Sequence, residues 1–260
     1  MNSAIDQLGQ NQLAGFILVL ARVSPLFLLA PPFSSKMMPV RVRGIVAVAI
    51  AMGLAPVALH GQAVPGDLLQ IAGLAVKEVL VGLGFAFALG CLFAAFSTAG
   101  SILDTTIGFS FGSLIDPITG IQSGQMVQLY SMVAIAVFIA IGGDAWVIQG
   151  LARTYELVPL LSTPSLQVLV SSAVSEFAGI LTAALEVAAP VMLALILTDV
   201  SFGVVSRVVP QLNVFAVGFP IKILVGLLVV GVSLPFVGGW LSDQLQLSVE
   251  SALSSLKVAT

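Results

Sequence analysis

Between Arg207 and Lys222 the chain reads Arg-Val-Val-Pro-Gln-Leu-Asn-Val-Phe-Ala-Val-Gly-Phe-Pro-Ile-Lys, setting a fixed cation, two prolines and two side-chain amides between long apolar runs. Proline removes a backbone donor and breaks the helical hydrogen-bond pattern. Hydrocarbon cannot replace the lost bond, so such an insert survives in a bilayer only where protein or trapped water reaches it. Composition makes this setting a membrane one. Of 260 residues, 58% are hydrophobic and 8% charged, with a mean hydropathy of +1.14. A soluble domain carries about a quarter charged residues. The expected fold class is an all-α integral membrane protein, with the 207–222 insert as a built site within it.

A span needs ~20 apolar residues. About six segments approach that length: Leu13–Ala30, Gly44–Leu59, Ile71–Ala95, Met126–Gly142, Phe177–Val205 and Val214–Gly239. The second and fourth are short and are expected to be tilted, interrupted or buried in protein. The stretch Leu166 to Val205 has the opposite problem, since some forty helical residues reach about 60 Å, twice the hydrocarbon thickness. Pro190 lies inside it, and a bent hairpin or a helix leaving the membrane is expected there. Further on, Leu241, Leu245, Val249, Leu253 and Leu256 recur at helical spacing. Residues 241–260 therefore read as an amphipathic tail that lies on the membrane or caps a neighbouring subunit.

Basic residues in short loops set orientation. The loop Pro31 to Arg43 holds Lys36, Arg41 and Arg43, whereas Gly61 to Gln70 holds only Asp67. This predicts a cytoplasmic first loop and an N-terminus outside, with Arg207 also inside and Arg153 and Lys257 outside. No Lys or Arg precedes Arg22, so the basic region of a cleavable secretory signal is missing and the first apolar run is expected to be retained.

Lys77, Glu78, Glu176, Glu186, Asp199 and Lys222 fall in or beside apolar stretches, and Arg22 lies within the first. Each costs roughly 2.5–3.5 kcal/mol at a lipid-facing midplane. Six such costs total roughly 15–20 kcal/mol, more than the ~5–15 kcal/mol net stability of a domain, so most must face protein, water or headgroups. Lys77 and Glu78 are adjacent and point about 100° apart on a helix, so each needs a partner elsewhere. Either they relay a proton or ion, or they pair between subunits or snorkel near a helix end.

Several function classes are excluded or unsupported. Cys91 and His60 are the single cysteine and histidine, so no internal disulfide and no Cys/His metal cluster can be built. Cys91 reads as a buried inert thiol and His60 as an interfacial loop residue. There is no Gly-x-x-x-x-Gly-Lys-Ser/Thr phosphate loop and no His-Glu-x-x-His, and the carboxylates are scattered. No enzyme activity and no cofactor are expected. Nine basic residues without aromatic interleaving argue against nucleic acid. A secondary ion or solute transporter remains an alternative, resting on Lys77, Glu78, Asp199 and the broken helices.

Three blocks together carry a resemblance. The first is Ala21-Arg22-Val23-Ser24-Pro25-Leu26-Phe27, continuing through Ala30-Pro31 to Pro39-Val40-Arg41-Val42-Arg43. The second is Gly108-Phe109-Ser110-Phe111-Gly112, closing with Ile115-Asp116-Pro117. The third is Arg207-Val208-Val209-Pro210-Gln211-Leu212-Asn213-Val214-Phe215 with Gly218-Phe219-Pro220. In order and spacing, over almost the whole chain, they resemble the FliR/SctT family of type III secretion export gates. The Gly218-Phe219-Pro220 ending is similar to flagellar members more than to virulence-associated ones.

The resemblance implies a single domain over 1–260, FliP-like in its N-terminal part and FliQ-like in its C-terminal part, with bent helical hairpins in a helical hetero-oligomeric gate. It implies a non-enzymatic subunit of the flagellar protein export gate, in the basal body at the bacterial inner membrane. The implied partners are FliP, FliQ, FlhB, FlhA, membrane lipid and the unfolded flagellar proteins being exported. Residues 106–122 would then be a plug loop closing the channel, with Gly108, Phe109, Phe111, Gly112, Leu114, Ile115, Asp116 and Pro117 as its core. Glycines permit tight mobile backbone and apolar side chains seal by excluding water. From the residues alone the same loop also reads as an interfacial one anchored by phenylalanines. Arg207, Pro210, Gln211, Asn213, Phe215, Lys77, Glu78 and Lys222 are the candidates for subunit interfaces.

Overall fold

A computed structural model describes residues 2–34, 38–59, 65, 67–110, 124–162, 165–211 and 213–258, the backbone alone being described for 2–11, 214, 215 and 255–258. Among the described residues all regular structure is helical: α1 (Asn2–Val23), α2 (Leu26–Leu29), α3 (Pro31–Ser34), α4 (Val40–Leu59), α5 (Leu68–Ile107), α6 (Gln125–Ala140), α7 (Gly143–Leu157), α8 (Leu166–Val208) and α9 (Val214–Val258). Among the described residues five helices are long and apolar enough to cross a membrane, and α6 with α7 form a further broken pair bent by 73°. The chain is an all-α membrane protein.

Local chemistry sets the breaks. Pro25 has no N–H and disfavours helix in the residue before it, so α1 ends at Val23, with Ser24 still bonded back to the Leu20 carbonyl at 2.9 Å. Gly142 takes φ +68° between α6 and α7, a left-handed conformation that glycine adopts without Cβ strain. The expected segment Met126–Gly142 therefore stops at a sharp bend and the chain resumes as α7. The other short segment, Gly44–Leu59, is an uninterrupted helix that begins four residues earlier, so Arg41 and Arg43 lie in its first turn.

Of the two expectations for Leu166–Val205, the bent hairpin needs correction, whereas a helix too long for the hydrocarbon core is what the chain forms. Residues Leu166–Val208 form one helix with Pro190 inside it, which ends just before Pro210. A single proline costs one hydrogen bond, which a long helix absorbs as a local distortion. Pro210 instead disfavours helix at the preceding Val209, and Asn213 restarts it by accepting the Ala216 N–H at 3.1 Å. The 241–260 tail is likewise continuous with α9 as far as Val258, and Leu241, Leu245, Val249 and Leu253 are buried within the chain.

The chain divides into two compact units, each discontinuous in sequence. The first comprises 1–92, 138–178 and 244–260, and the second 93–137 and 179–243. In the first, α1 packs on α4 and α4 on α7. Leu18, Val19 and Val23 from α1, Val81 and Phe85 from α5, and Val147 and Leu151 from α7 are fully or almost fully buried. Phe27 and Phe33 meet edge to face at 5.6 Å, and Phe33 meets Phe138 at 6.1 Å.

In the second unit α8 and α9 run antiparallel. Ala184, Val187, Ala188, Val191 and Leu195 form the buried stripe of α8 at helical spacing. Leu193, Ile196, Leu197, Val200 and Val204 on the same helix are exposed. A helix apolar all round does not announce which face it will bury, so the partner chooses.

Candidate functional site

The most elaborate polar construction lies in the first unit, around Arg22. Its guanidinium is fully buried near the end of α1. Nε donates to Glu78 Oε2 at 2.5 Å and Nη2 to Glu78 Oε1 at 3.0 Å, a two-pronged grip on one carboxylate. Nη2 also donates to the Val158 carbonyl at 2.8 Å, and Nη1 to Thr154 Oγ1 at 3.2 Å. The Thr154 hydroxyl in turn donates to the Leu151 carbonyl at 2.6 Å. The cation sits 4.1 Å from the centroid of the Tyr155 ring, and the Tyr155 hydroxyl donates to the Val19 carbonyl at 3.4 Å.

Each contact has a local cause. Val158 follows the last residue of α7, where helical carbonyls lack internal partners and the helix dipole favours a cation. Glu78 and Gly82 are four residues apart and share a face of α5. A Cβ on Gly82 would overlap the Arg22 carbonyl oxygen, so glycine is what lets α5 come close enough for Glu78 to reach. A buried ion pair offsets its desolvation only when geometry is good and the remaining donors are satisfied, and here four N–H groups of the guanidinium are used. The site is a clasp tying α1, α5 and α7 together.

A second construction lies in the second unit, at the two ends of the segment expected as a plug. α5 ends at Ile107, which is fully buried beside Gly226 and Leu195. Gly108 follows at φ +106°, its N–H bonded to the Asp104 carbonyl at 3.1 Å. Phe109 is half-buried. Phe111, Gly112, Leu114, Ile115, Asp116 and Pro117 lie outside the described residues, as do Lys36 and His60. Where the chain returns, the buried Asp104 carboxylate accepts the N–H of Met126 at 2.9 Å and that of Val127 at 3.2 Å.

The third block occupies the turn between α8 and α9. Arg207 is exposed in the last turn of α8 and makes no ion pair among the described residues, and Pro210 and Gln211 are exposed. Phe215 lies in the first turn of α9. Lys222 bonds Asp199 at 2.7 Å, with about half of the aspartate side chain exposed, and Trp240 Nε1 donates to Glu186 at 3.0 Å.

Of the expected interface residues, Glu78 and Lys222 thus have partners in their own chain. Lys77 points away from Glu78, as adjacent helical positions require, and lines an open pocket with Gln70, Gly73, Leu74 and Leu161. Glu78 and Asp199 are two of the three charges behind the transporter alternative. Both are paired within the chain.

Residues 13–248 match the family described as bacterial export proteins, family 1. The chain belongs to this family. The matched stretch contains all three sequence blocks. Within the export family the chain is similar to the flagellar biosynthetic protein FliR of Bacillus subtilis (strain 168), 31% identical over 248 residues and 91% of each chain. It is 28% identical to FliR of Escherichia coli (strain K12) over 218 residues, covering 84% of this chain and 83% of that one. The surface presentation of antigens protein SpaR of Salmonella typhimurium is 32% identical over 208 residues, covering 78% and 76%.

Sequence reasoning notes Arg22 but does not select it as a site, and misses Thr154, Tyr155, Val158 and Asp104. A fixed cation inside an apolar run demands an equally buried carboxylate. Glu78, Glu176, Glu186 and Asp199 are all eligible, and only the packing chooses. Asp104 leaves a fainter signal, as the last acid of α5 before the Gly-rich segment, after a run from Val79 to Leu103 that carries no charge.

Proposed function

We propose that this membrane component of a type III export apparatus is a subunit of the flagellar protein-conducting gate, helping to form the channel for unfolded flagellar proteins and to close it. The observation that carries the reading is the match of residues 13–248 to the export family, with curated relatives named for flagellar biosynthesis across most of both chains. The Gly218-Phe219-Pro220 ending supports the flagellar branch. The proposed partners are FliP and FliQ in the gate itself, with FlhB and FlhA beside it, in the bacterial inner membrane with the N-terminus outside. Exposed apolar residues along helices of 43 and 45 residues support a life inside an assembly, because such rods reach roughly 65 Å, about twice the hydrocarbon thickness.

In this reading residues 106–122 are the plug, with Gly108 and Phe109 at its start. Arg207, Pro210, Gln211, Asn213 and Phe215 meet a neighbouring subunit at the α8–α9 turn, and Lys77 offers a cation to another. The first experiment purifies the tagged chain from cells making all the partners and weighs the intact particle. One copy within a discrete particle containing FliP and FliQ is expected. A clean monomer or homo-oligomer would overturn the reading and revive the transporter. Within an assembled particle, deletion of Phe109–Ile115 should let small ions leak, and a tight channel would rule out the plug.

A further inference from the structure

The helix α6 starts without the side chain that helix starts normally use. Its cap position is Gly124, whose carbonyl takes the Gln128 N–H at 3.2 Å and which has no side-chain oxygen to offer the free N–H groups of the first turn. Serine, threonine, aspartate or asparagine at that position would bond the second or third residue of the helix. Here Asp104, one turn from the end of α5, supplies both bonds from another helix, to the N–H groups of Met126 and Val127. Its negative charge also suits the positive end of the α6 dipole. The glycine is required by that arrangement, since a Cβ on Gly124 would overlap the Asp104 carboxylate. One turn earlier on α5, Gly100 makes room in the same way, where a Cβ would meet Val127 Cα at 2.6 Å and the Met126 carbonyl oxygen at 2.7 Å.

Asp104 therefore touches both ends of the intervening segment. Its backbone carbonyl accepts the Gly108 N–H in the closing main-chain bond of α5, as any residue there would, and its carboxylate holds the incoming end. It is 4% exposed, so water does not compete for either bond. We propose that Asp104 is the positioning residue of the segment between α5 and α6, a single staple that fixes where the segment returns to the helical body. The inference rests on the reading of that segment as the closure of an export channel. It adds that tight closure depends on the staple as well as on the segment's own side chains. Asp104 is buried and acts through the start of α6 that its carboxylate holds.

Two lesions reach the staple independently. Asp104→Asn keeps the shape but turns one oxygen into an amide that faces an N–H donor. Gly124→Ala leaves the carboxylate intact and displaces it. Both variants, their combination and the Phe109–Ile115 deletion are made in the complete apparatus. Ion leak across the membrane is measured per assembled particle, with particle number counted separately. Each single variant is expected to raise leak at least tenfold at near-normal particle number, and the double variant to leak no more than the worse single one, because both break the same contact.

Fewer particles with wild-type tightness would make Asp104 an ordinary folding contact and overturn the proposal, as would additive leaks. Tight staple variants beside a leaking deletion would sink the staple and leave the closure reading standing. If the deletion is also tight, both fall. Leaky staple variants beside a tight deletion would show that the leak comes from elsewhere and overturn it too.

Discussion

Replacing Glu78 by glutamine keeps the size and shape of the side chain and removes one charge from the clasp. The Arg22 guanidinium then remains fully buried with the Val158 carbonyl, the Thr154 hydroxyl and the Tyr155 ring, but no counter-ion. Breaking a buried ion pair from one side costs about 3–5 kcal/mol. The Tyr155 ring returns up to ~2 kcal/mol of attraction when desolvated but is present in both states, so it does not offset the loss. At 1.4 kcal/mol per tenfold, the folded-to-unfolded ratio should fall by roughly a hundredfold to a few thousandfold. The double replacement Arg22→Met with Glu78→Leu removes both charges in similar volume and should lie close to the wild type, since apolar substitutes for buried pairs are often neutral or better. The assay is thermal unfolding of the purified chain or complex in detergent, alongside its level in membranes. A Glu78→Gln protein as stable as wild type, or a double variant as damaged as the single, would refute the clasp.

Other perturbations probe separate contacts. Gly82→Ala forces a methyl onto the Arg22 carbonyl oxygen and should cost about 1–3 kcal/mol by overpacking, read in the same melting experiment. Tyr155→Phe should cost no more than ~1 kcal/mol, because the hydroxyl bond is long at 3.4 Å and the ring remains over the cation. Lys222→Ala should change the isolated chain by ~1 kcal/mol or less, as Asp199 is half exposed, and an equally small effect on the assembled particle would show that no partner covers that pair. Cys91 is buried, so a maleimide should label it only after denaturation, and rapid labelling of the native chain would contradict the packing of α5.

The spans are legible because hydropathy needs only composition over a window, and each of the six apolar segments falls on helix, the first of them on α1 and α2 together. Their ends are less legible. Ile71–Ala95 grows to Leu68–Ile107 because Ala99, Leu103 and Ile107 bury a continuing face and Gly100 lets the start of α6 pack closely on it. Pro190 and Pro210 look alike in sequence, yet one is absorbed within a helix and the other marks a helix end. The difference lies downstream in the chain, where Asn213 caps a new helix after Pro210 and no such restart is made after Pro190. The clasp is least legible. It joins Arg22, Glu78 and Thr154 across separations of 56 and 132 residues, which no local pattern records. The three sequence blocks locate two of the constructions, since Arg22 lies in the first and the segment stapled by Asp104 in the second.

A nascent helix of 43 residues such as α8 enters the membrane without a unique vertical address. An insertion machinery that recognises ~20 apolar residues meets many overlapping windows along it, and a shift of one turn moves the whole rod by about 5.4 Å. Within its apolar length the charged marks of height are Glu186 and Asp199, matched by Lys222 on the descending α9. Insertion and placement thus become separate events for this chain. Within the chain, the mark that sets the register of the two helices is the pair of Asp199 on α8 with Lys222 on α9.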